Sequence, residues 1–261
     1  MKNYIIVFIA VLLFNCKNEN ANHSDTNVAS DVKALTANEI IDKSIDVSGG
    51  DRFKQSSLKF EFRDVYYQAL RKNHEFLLGR VLVKDNDSIF DMLSNVGFER
   101  YKNDAFVKLE DSIANLYAAS VNSVHYFSVL PYGLNDKAVH KTLLGSEQIK
   151  SKDYYKIKVT FDELGGGEDH EDIFVYWVNK DTFKVDYLAY SYAESSGVGM
   201  RFREAYNERY VTGLRFVDYN NYKTENSSIP LEGLGKAFEA NTLKLLSKIE
   251  LNNVTVELVD N

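Results

Sequence analysis

Cysteine and proline are nearly absent from this chain: 261 residues carry one Cys, at position 16, and two Pro. A lone thiol excludes an intramolecular disulfide framework, even in an oxidising compartment. Basic charge is also scarce, with 31 Lys and Arg against 38 Asp and Glu for a net charge of -7. That balance argues against nucleic acid as a partner, since phosphate binding rests on clustered Lys and Arg. The recognisable catalytic spacings are missing too. There is no H-E-x-x-H zinc helix, no calcium loop and no phosphate-cradling glycine loop, and the isolated His74, His125 and His140 have no matching partners for a triad.

What the chain has in quantity is aromatic residues, 17 Tyr and 16 Phe, which suit pleated, half-buried surfaces and so favour strands. Its N-terminus is of a different kind. Lys2 precedes an apolar run from Tyr4 to Phe14, too short to span a bilayer but suited to the core of a secretory signal. Leu13-Phe14-Asn15-Cys16 resembles a bacterial lipobox, with leucine three residues before the cysteine and Phe14 and Asn15 where small residues are usual. The expectation is a signal segment over 1–15 and Cys16 as the lipidated residue. Residues 16–34 are polar and without apolar periodicity, a flexible tether. A single β-rich domain over 35–261 follows, and no tandem repeat or Gly/Ser linker divides it.

That domain should begin with a helix, because Thr36 and Glu39 have capping-box spacing and Gly49-Gly50 supplies a stop. Strand signals follow at meander spacing: Leu58–Arg63, Val65–Tyr67, Glu75–Val83, Ser88–Met92 and Phe98–Leu109. Ile113, Leu116, Tyr117, Val121 and Val124 then fall on one helical face, with Asp111 or Ser112 as cap. The apolar segment His125–Leu134 is read either as a lid across a curved sheet or as plain core. Strands resume through Leu143–Ile149, Tyr154–Phe161, Ile173–Val178, Val185–Ala193, Met200–Tyr210, Leu214–Lys223 and a last one over Leu246–Val259. Without helical crossovers a parallel sheet is disfavoured. The fold class is therefore mainly β: a single strongly curved antiparallel sheet or incomplete β-barrel, with one or two helices on its concave side.

Asp153–Lys180 reads as the central hairpin, two strands joined by a glycine-rich acidic loop. Asp169, His170, Glu171 and Asp172 at its tip are candidate ligands for a divalent cation. The alternatives are an acidic solvated turn, the reading the spacing favours, and a polar loop that touches a ligand. Arg201, Arg203 and Arg209 fall on one strand face, either as a clamp for a carboxylate, phosphate or lipid headgroup or as a charged outer face. Tyr176, Trp177, Tyr187, Tyr190, Tyr192, Tyr206, Tyr219 and Tyr222 gather in the second half, as cavity lining or as core pairs. The candidate ligand-binding set is Tyr126, Phe127, Tyr176, Trp177, Arg201, Arg203 and Arg209.

The order of elements resembles the bacterial lipoprotein-carrier and lipoprotein-receptor (LolA/LolB-like) fold. Leu130-Pro131-Tyr132-Gly133-Leu134, Gly165–Trp177, Gly199–Ala205 and Phe216-Val217-Asp218-Tyr219 are similar to stretches of an uncharacterised envelope lipoprotein family of that architecture. The resemblance covers Leu35–Val259 and implies an incomplete barrel that holds acyl chains under helices; it brings no catalytic residue. The leading expectation is a secreted envelope lipoprotein, lipid-anchored to the outer membrane, that holds a lipid or other apolar or amphipathic ligand and needs no cofactor. The first alternative is an enzyme in which His170 binds a metal or acts as general base while Arg201 or Arg203 orients an anionic substrate. The second is a scaffold whose aromatic surface meets another envelope protein.

Overall fold

The computed structural model describes residues 34–165, 170–194 and 197–259. The expected signal segment, Cys16, nearly all of the tether, and Asp169 at the hairpin tip lie outside the described residues. Leu35–Asn261 forms one compact unit. It opens with α1 (Ala37–Ser48), whose start is the capping box written in the sequence. Thr36 Oγ1 accepts the Glu39 N–H at 3.2 Å, and Glu39 Oε2 accepts the Thr36 N–H at 2.7 Å. Gly49 ends the helix at φ 132, a conformation side chains avoid, and a Cβ there would lie 2.6 Å from Leu214.

Six strands follow as a meander: β1 (Ser56–Phe62), β2 (Val65–Lys72), β3 (Glu75–Lys84), β4 (Asp87–Ser94), β5 (Gly97–Lys102) and the short β6 (Ala105–Phe106). Four of the five turns are two-residue pairs with both φ positive, at Arg63-Asp64, Asn73-His74, Asp85-Asn86 and Asn103-Asp104. Such turns match the right-handed twist of the strands they join. After α2 (Asp111–Ser128) come β7 (Val139–Ile149), β8 (Lys152–Phe161), β9 (Ile173–Asn179), β10 (Val185–Glu194), β11 (Gly197–Val211) and β12 (Leu214–Lys223). A six-residue α3 (Leu234–Glu239), β13 (Lys244–Ile249) and β14 (Asn252–Leu258) complete the unit.

The domain is mainly β and antiparallel, as expected, but the single sheet is corrected to two. One sheet has the order β14-β1-β2-β3-β4-β5-β6 and the other β13-β12-β11-β10-β9-β8-β7, and the two do not close into a barrel. The expected last strand is where they part. Leu246–Val259 is interrupted at Glu250-Leu251, with β13 pairing β12 and β14 crossing to pair β1. Asp218 makes the break: its Oδ1 accepts the Leu251 N–H at 3.0 Å, while Arg209 Nη2 donates to the Leu251 carbonyl at 2.6 Å. These side chains satisfy backbone groups that a continuous ladder would otherwise pair. Asp153–Lys180 does form the β8–β9 hairpin, but it sits beside the edge strand β7 and not at the centre.

The second sheet is covered on both faces, which explains why β9 reads as an unbroken apolar run. Phe174, Tyr176 and Val178 turn inward onto Ile40, Ile41, Leu130 and Leu134. Val175 and Trp177 turn outward, where Leu231, Leu234 and Phe238 cover them. Burying each such large side chain contributes roughly 1.5–3 kcal/mol. The segment after α2 is thus core and not a lid, since Val129, Leu130 and Leu134 are buried within these clusters.

Helix α2 lies between the sheets. Val121 joins Leu58, Phe60 and Tyr67 of the first sheet, whereas Tyr126 and Phe127 pack on the second. Its buried face differs from the expected one, because Ile113 and Leu116 are exposed and its N-cap Glu110 makes no side-chain cap bond. Charged groups occupy the ground beneath its first half. Asp91, wholly buried, accepts Arg80 Nε at 2.7 Å and Arg100 Nε and Nη2 at 2.6 and 2.8 Å. Arg80 also donates to Ser120 Oγ at 2.8 Å, and the Arg100 guanidinium lies 3.6 Å from the centre of the Tyr117 ring. Replacing Asp91 with Ala leaves two arginines facing each other without a counter-charge. The expected cost is about 3–5 kcal/mol of stability, read as a lowered urea midpoint; a loss below about 1 kcal/mol would show that the network does not seat the helix.

Candidate functional site

The second half of α2 walls two adjoining cavities. The smaller, about 200 Å³, is lined by Phe62, Val124, Phe127, Val217, Tyr219 and Leu251, with Arg203 as its charged group on the second sheet. The larger, about 450 Å³, is lined by Tyr126, Phe127, Phe161, Phe174, Tyr190 and Tyr192, together with Asp172 and Arg201. Ser123 and Phe127 belong to both walls. Of the expected set, the structure brings together Tyr126, Phe127, Tyr176, Arg201 and Arg203. Tyr126 and Tyr176 hydrogen-bond through their hydroxyls at 3.0 Å. Phe127 packs against Tyr126, Phe174 and Tyr190 at centroid distances of 5.5, 5.9 and 5.2 Å.

Arg203 is the chemically distinctive member. It is 7% exposed, its guanidinium lies 3.8 Å from the centre of the Phe127 ring, and Nη2 donates to Tyr190 Oη at 2.9 Å. Its Nε has no partner, and no carboxylate forms an ion pair with it among the described residues. Arg203 thus keeps an open donor at Nε beside the cavity it lines. Arg201, two residues along the same face, lies 5.0 Å over Tyr192 and donates to the Met200 carbonyl. The phenols around them stay neutral: burial pushes the hydroxyls of Tyr126, Tyr176 and Tyr219 above the ordinary tyrosine range.

Two members of the expected set lie elsewhere. Trp177 points to the opposite face from Tyr176, because successive residues on a strand alternate, and packs under α3 at 5.5 Å from Phe202. Arg209 leaves the face of Arg201 and Arg203 because the register slips between Tyr206 and Arg209, where Asn207 takes φ 50. The extra residue of a bulge inverts the alternation beyond it, and Arg209 instead pairs with Asp218 at 3.1 Å. Of the acidic tip, Asp172 lines the larger cavity, Glu171 is exposed and His170 lies beside it in the turn. Among the described residues no three His, Cys, Asp or Glu side chains gather as a metal-holding group.

Sequence reasoning missed Phe62, Phe161, Phe174 and Leu251 as lining residues. Each reads locally as ordinary strand or loop, and only the placement of α2 makes it a wall. Among the tyrosines, Tyr190, Tyr192 and Tyr219 line the cavities. Tyr187 and Tyr222 lie in the outer cluster, and Tyr206 bonds Glu250 at 2.7 Å.

Two antiparallel sheets enclosing one long helix, with a hollow along that helix's side, define a helix-filled β protein. The chain belongs to a family of unknown function, DUF6503, whose model matches residues 2–251. None of the curated proteins matches it in sequence. Among solved structures it is similar to a LolA superfamily protein from Nitrosomonas europaea, 13% identical, with 87% of this chain and 95% of that one covered and a TM-score of 0.48. It is also similar to a DUF1329 family protein from Desulfovibrio piger (11% identical, 85% and 93% covered, TM-score 0.40). A third is a Vibrio parahaemolyticus domain described as that of an outer membrane lipoprotein-sorting protein (8% identical, 84% and 91% covered, TM-score 0.41). No residue role passes from these proteins to this chain.

His125, on the other side of α2, carries the clearest titration. Its Nε2 hydrogen-bonds the Gly79 carbonyl at 3.0 Å, and burial lowers its pKa from the ordinary 6.5 to about 4. Between those values the unfolded chain binds a proton that the folded chain refuses. Its contribution to stability is therefore fully present above pH 6.5 and declines as pH falls towards 4, by about 1.4 kcal/mol per unit. Urea unfolding from pH 7 to pH 4.5 should show the wild type losing more stability than His125→Gln, which has no ring to titrate; equal losses would remove His125 as the cause.

Proposed function

We propose that this chain binds an amphipathic ligand, an acyl chain bearing an anionic group, in the joined cavities beside α2. The observation that carries the reading is Arg203: a buried guanidinium without a carboxylate among the described residues, stacked on Phe127 where the two cavities meet. Leaving such a group unpaired is costly, and a ligand carboxylate or phosphate would complete it with charge-assisted hydrogen bonds. The apolar side chains around it, Phe127, Val217, Leu251 and Phe174, suit a hydrocarbon tail. The larger cavity falls within the roughly 300–1,000 Å³ of small-molecule sites, which pair apolar walls with a few placed polar groups. Arg201 supplies a second cation on the same strand face.

In the same reading the protein works in the cell envelope, exported by the segment 1–15 and tethered to the outer membrane through a lipid on Cys16. Residues 16–34 serve as the tether that lets the domain stand off the bilayer.

Native mass spectrometry of the full-length protein is expected to reveal a co-purifying lipid or fatty acid, and oleate added to delipidated protein is expected to bind. Arg203→Met should weaken oleate binding by about 1.5–3 kcal/mol, the worth of a hydrogen bond to a charged group, and Phe127→Ala should weaken it further by opening the shared wall. Protein that carries no lipid and takes up no oleate would refute the reading. For the anchor, Cys16→Ser is expected to reduce the mass by a lipid modification and to release the protein from the membrane fraction; unchanged mass and partitioning would rule lipidation out.

A further inference from the structure

The side of α2 away from Phe127 holds a separate cavity. Ser123, Val124, Phe127 and Ser128 face the smaller hollow described above, whereas Asn122, His125, Tyr126 and Val129 face this one. At 100° per residue those two sets lie on opposite sides of the helix. The cavity measures about 660 Å³ and runs between α2 and the ends of β2 and β3, with Phe76 and Leu78 on its wall. Its floor carries Arg71, which shares a strand face with Tyr67 and Ala69 and would by that position be expected to be apolar.

Arg71 is 8% exposed. The Tyr132 ring lies 5.5 Å from its guanidinium, and Nη1 has no partner. Glu75 and Asp136 border the same cavity but are exposed, and among the described residues no carboxylate pairs with Arg71. Lys54, at the opening, is already paired with Asp51 at 2.6 Å. The chain treats its other buried arginines differently. Arg80 shares Asp91 with Arg100, and Arg215 pairs with Glu208 and donates to the Val185 carbonyl. Where a buried arginine serves the fold, this protein supplies a carboxylate. Among the described residues Arg71 and Arg203 lack one, and both line cavities.

We propose that this cavity is a second binding site, for an oxyanion, in which the Arg71 guanidinium takes a phosphate or carboxylate group over the Tyr132 ring. The site has no lining residue in common with the smaller, Arg203-lined hollow, and it meets the larger one only along α2, at Asn122 and Tyr126, so the Arg71 variants test it apart from the acyl-chain reading. The planar guanidinium offers paired N–H donors matched to two oxygens of such a group.

The test uses the full-length protein, two probes and two variants. Inorganic phosphate and 1-oleoyl lysophosphatidic acid are each titrated while the melting temperature is followed. At least one of them is expected to raise the wild-type melting temperature in a saturable way. Phosphate alone sufficing identifies a free anion as the occupant, and a response confined to the lysophospholipid identifies a headgroup. Arg71→Met should weaken the effective probe at least tenfold. Without a probe it should melt no lower than the wild type, because it removes a buried charge that nothing compensates. Arg71→Lys keeps the charge without the fork and should show an intermediate affinity. No response to either probe in the wild type, or an undiminished response in Arg71→Met, overturns the proposal. So does an Arg71→Met protein that melts well below the wild type, since Arg71 would then be serving the fold.

Discussion

The buried carboxylate of Asp91 fixes where α2 rests on the first sheet. Two arginines reach it from β3 and β5, and each goes on to touch α2, one through Ser120 and the other through the Tyr117 ring. The helix is thereby seated on charge along its first half and on apolar side chains along its second. An ion pair is a poor source of net stability in a protein interior, but it has a direction, which an apolar contact lacks. Fixing α2 in this way settles how far it stands from the second sheet, and hence whether a hollow exists beside Phe127.

Seen from α2, the domain is arranged about one element with two unlike sides. Towards the second sheet it presents Phe127 and Ser123, and the answering cation is Arg203. On its other side it presents His125, held neutral at ordinary pH by burial, and the answering cation is Arg71. Among the described residues neither guanidinium has a carboxylate, although the same chain finds one for Arg80, Arg100, Arg209 and Arg215. A fold that leaves buried donors open gives up stability, and such departures cluster at functional sites.

Much of this architecture is legible in the sequence, and the failures share one cause. Thr36 with Glu39 marks the start of α1 because a capping box is satisfied within four residues. Thr212-Gly213 marks a hairpin because its turn chemistry is local, and the β11–β12 turn falls there, with both residues at positive φ. The split of Leu246–Val259 into two strands is not local: it depends on Asp218 and Arg209, far back in the chain. The exposure of Ile113 and Leu116 is not local either: their helical spacing is sound, but Arg80 and Arg100 of the first sheet occupy the ground under that half of α2. Arg201 and Arg203 could be placed together from alternation alone, whereas Arg209 could not, because nothing in Tyr206-Asn207-Glu208-Arg209 announces a bulge. Trp177 is the instructive case, since alternation along β9 already sets it against Tyr176. Arg71 reads only as a charge near a strand end, and its isolation appears when the whole first sheet is assembled.

The strand pairings also bear on how the chain reaches this state. Every pairing but one joins strands that follow each other in sequence, and these can close one after another at little entropic cost. The exception is β14 on β1, which unites the two ends of the domain. That seam is reached only where Leu251 crosses from one sheet to the other, held there by Asp218 and Arg209. A nascent chain can zip both meanders before its last residues exist, and the closing strand then completes the first sheet along β1, the edge that would otherwise remain open for another chain to pair with.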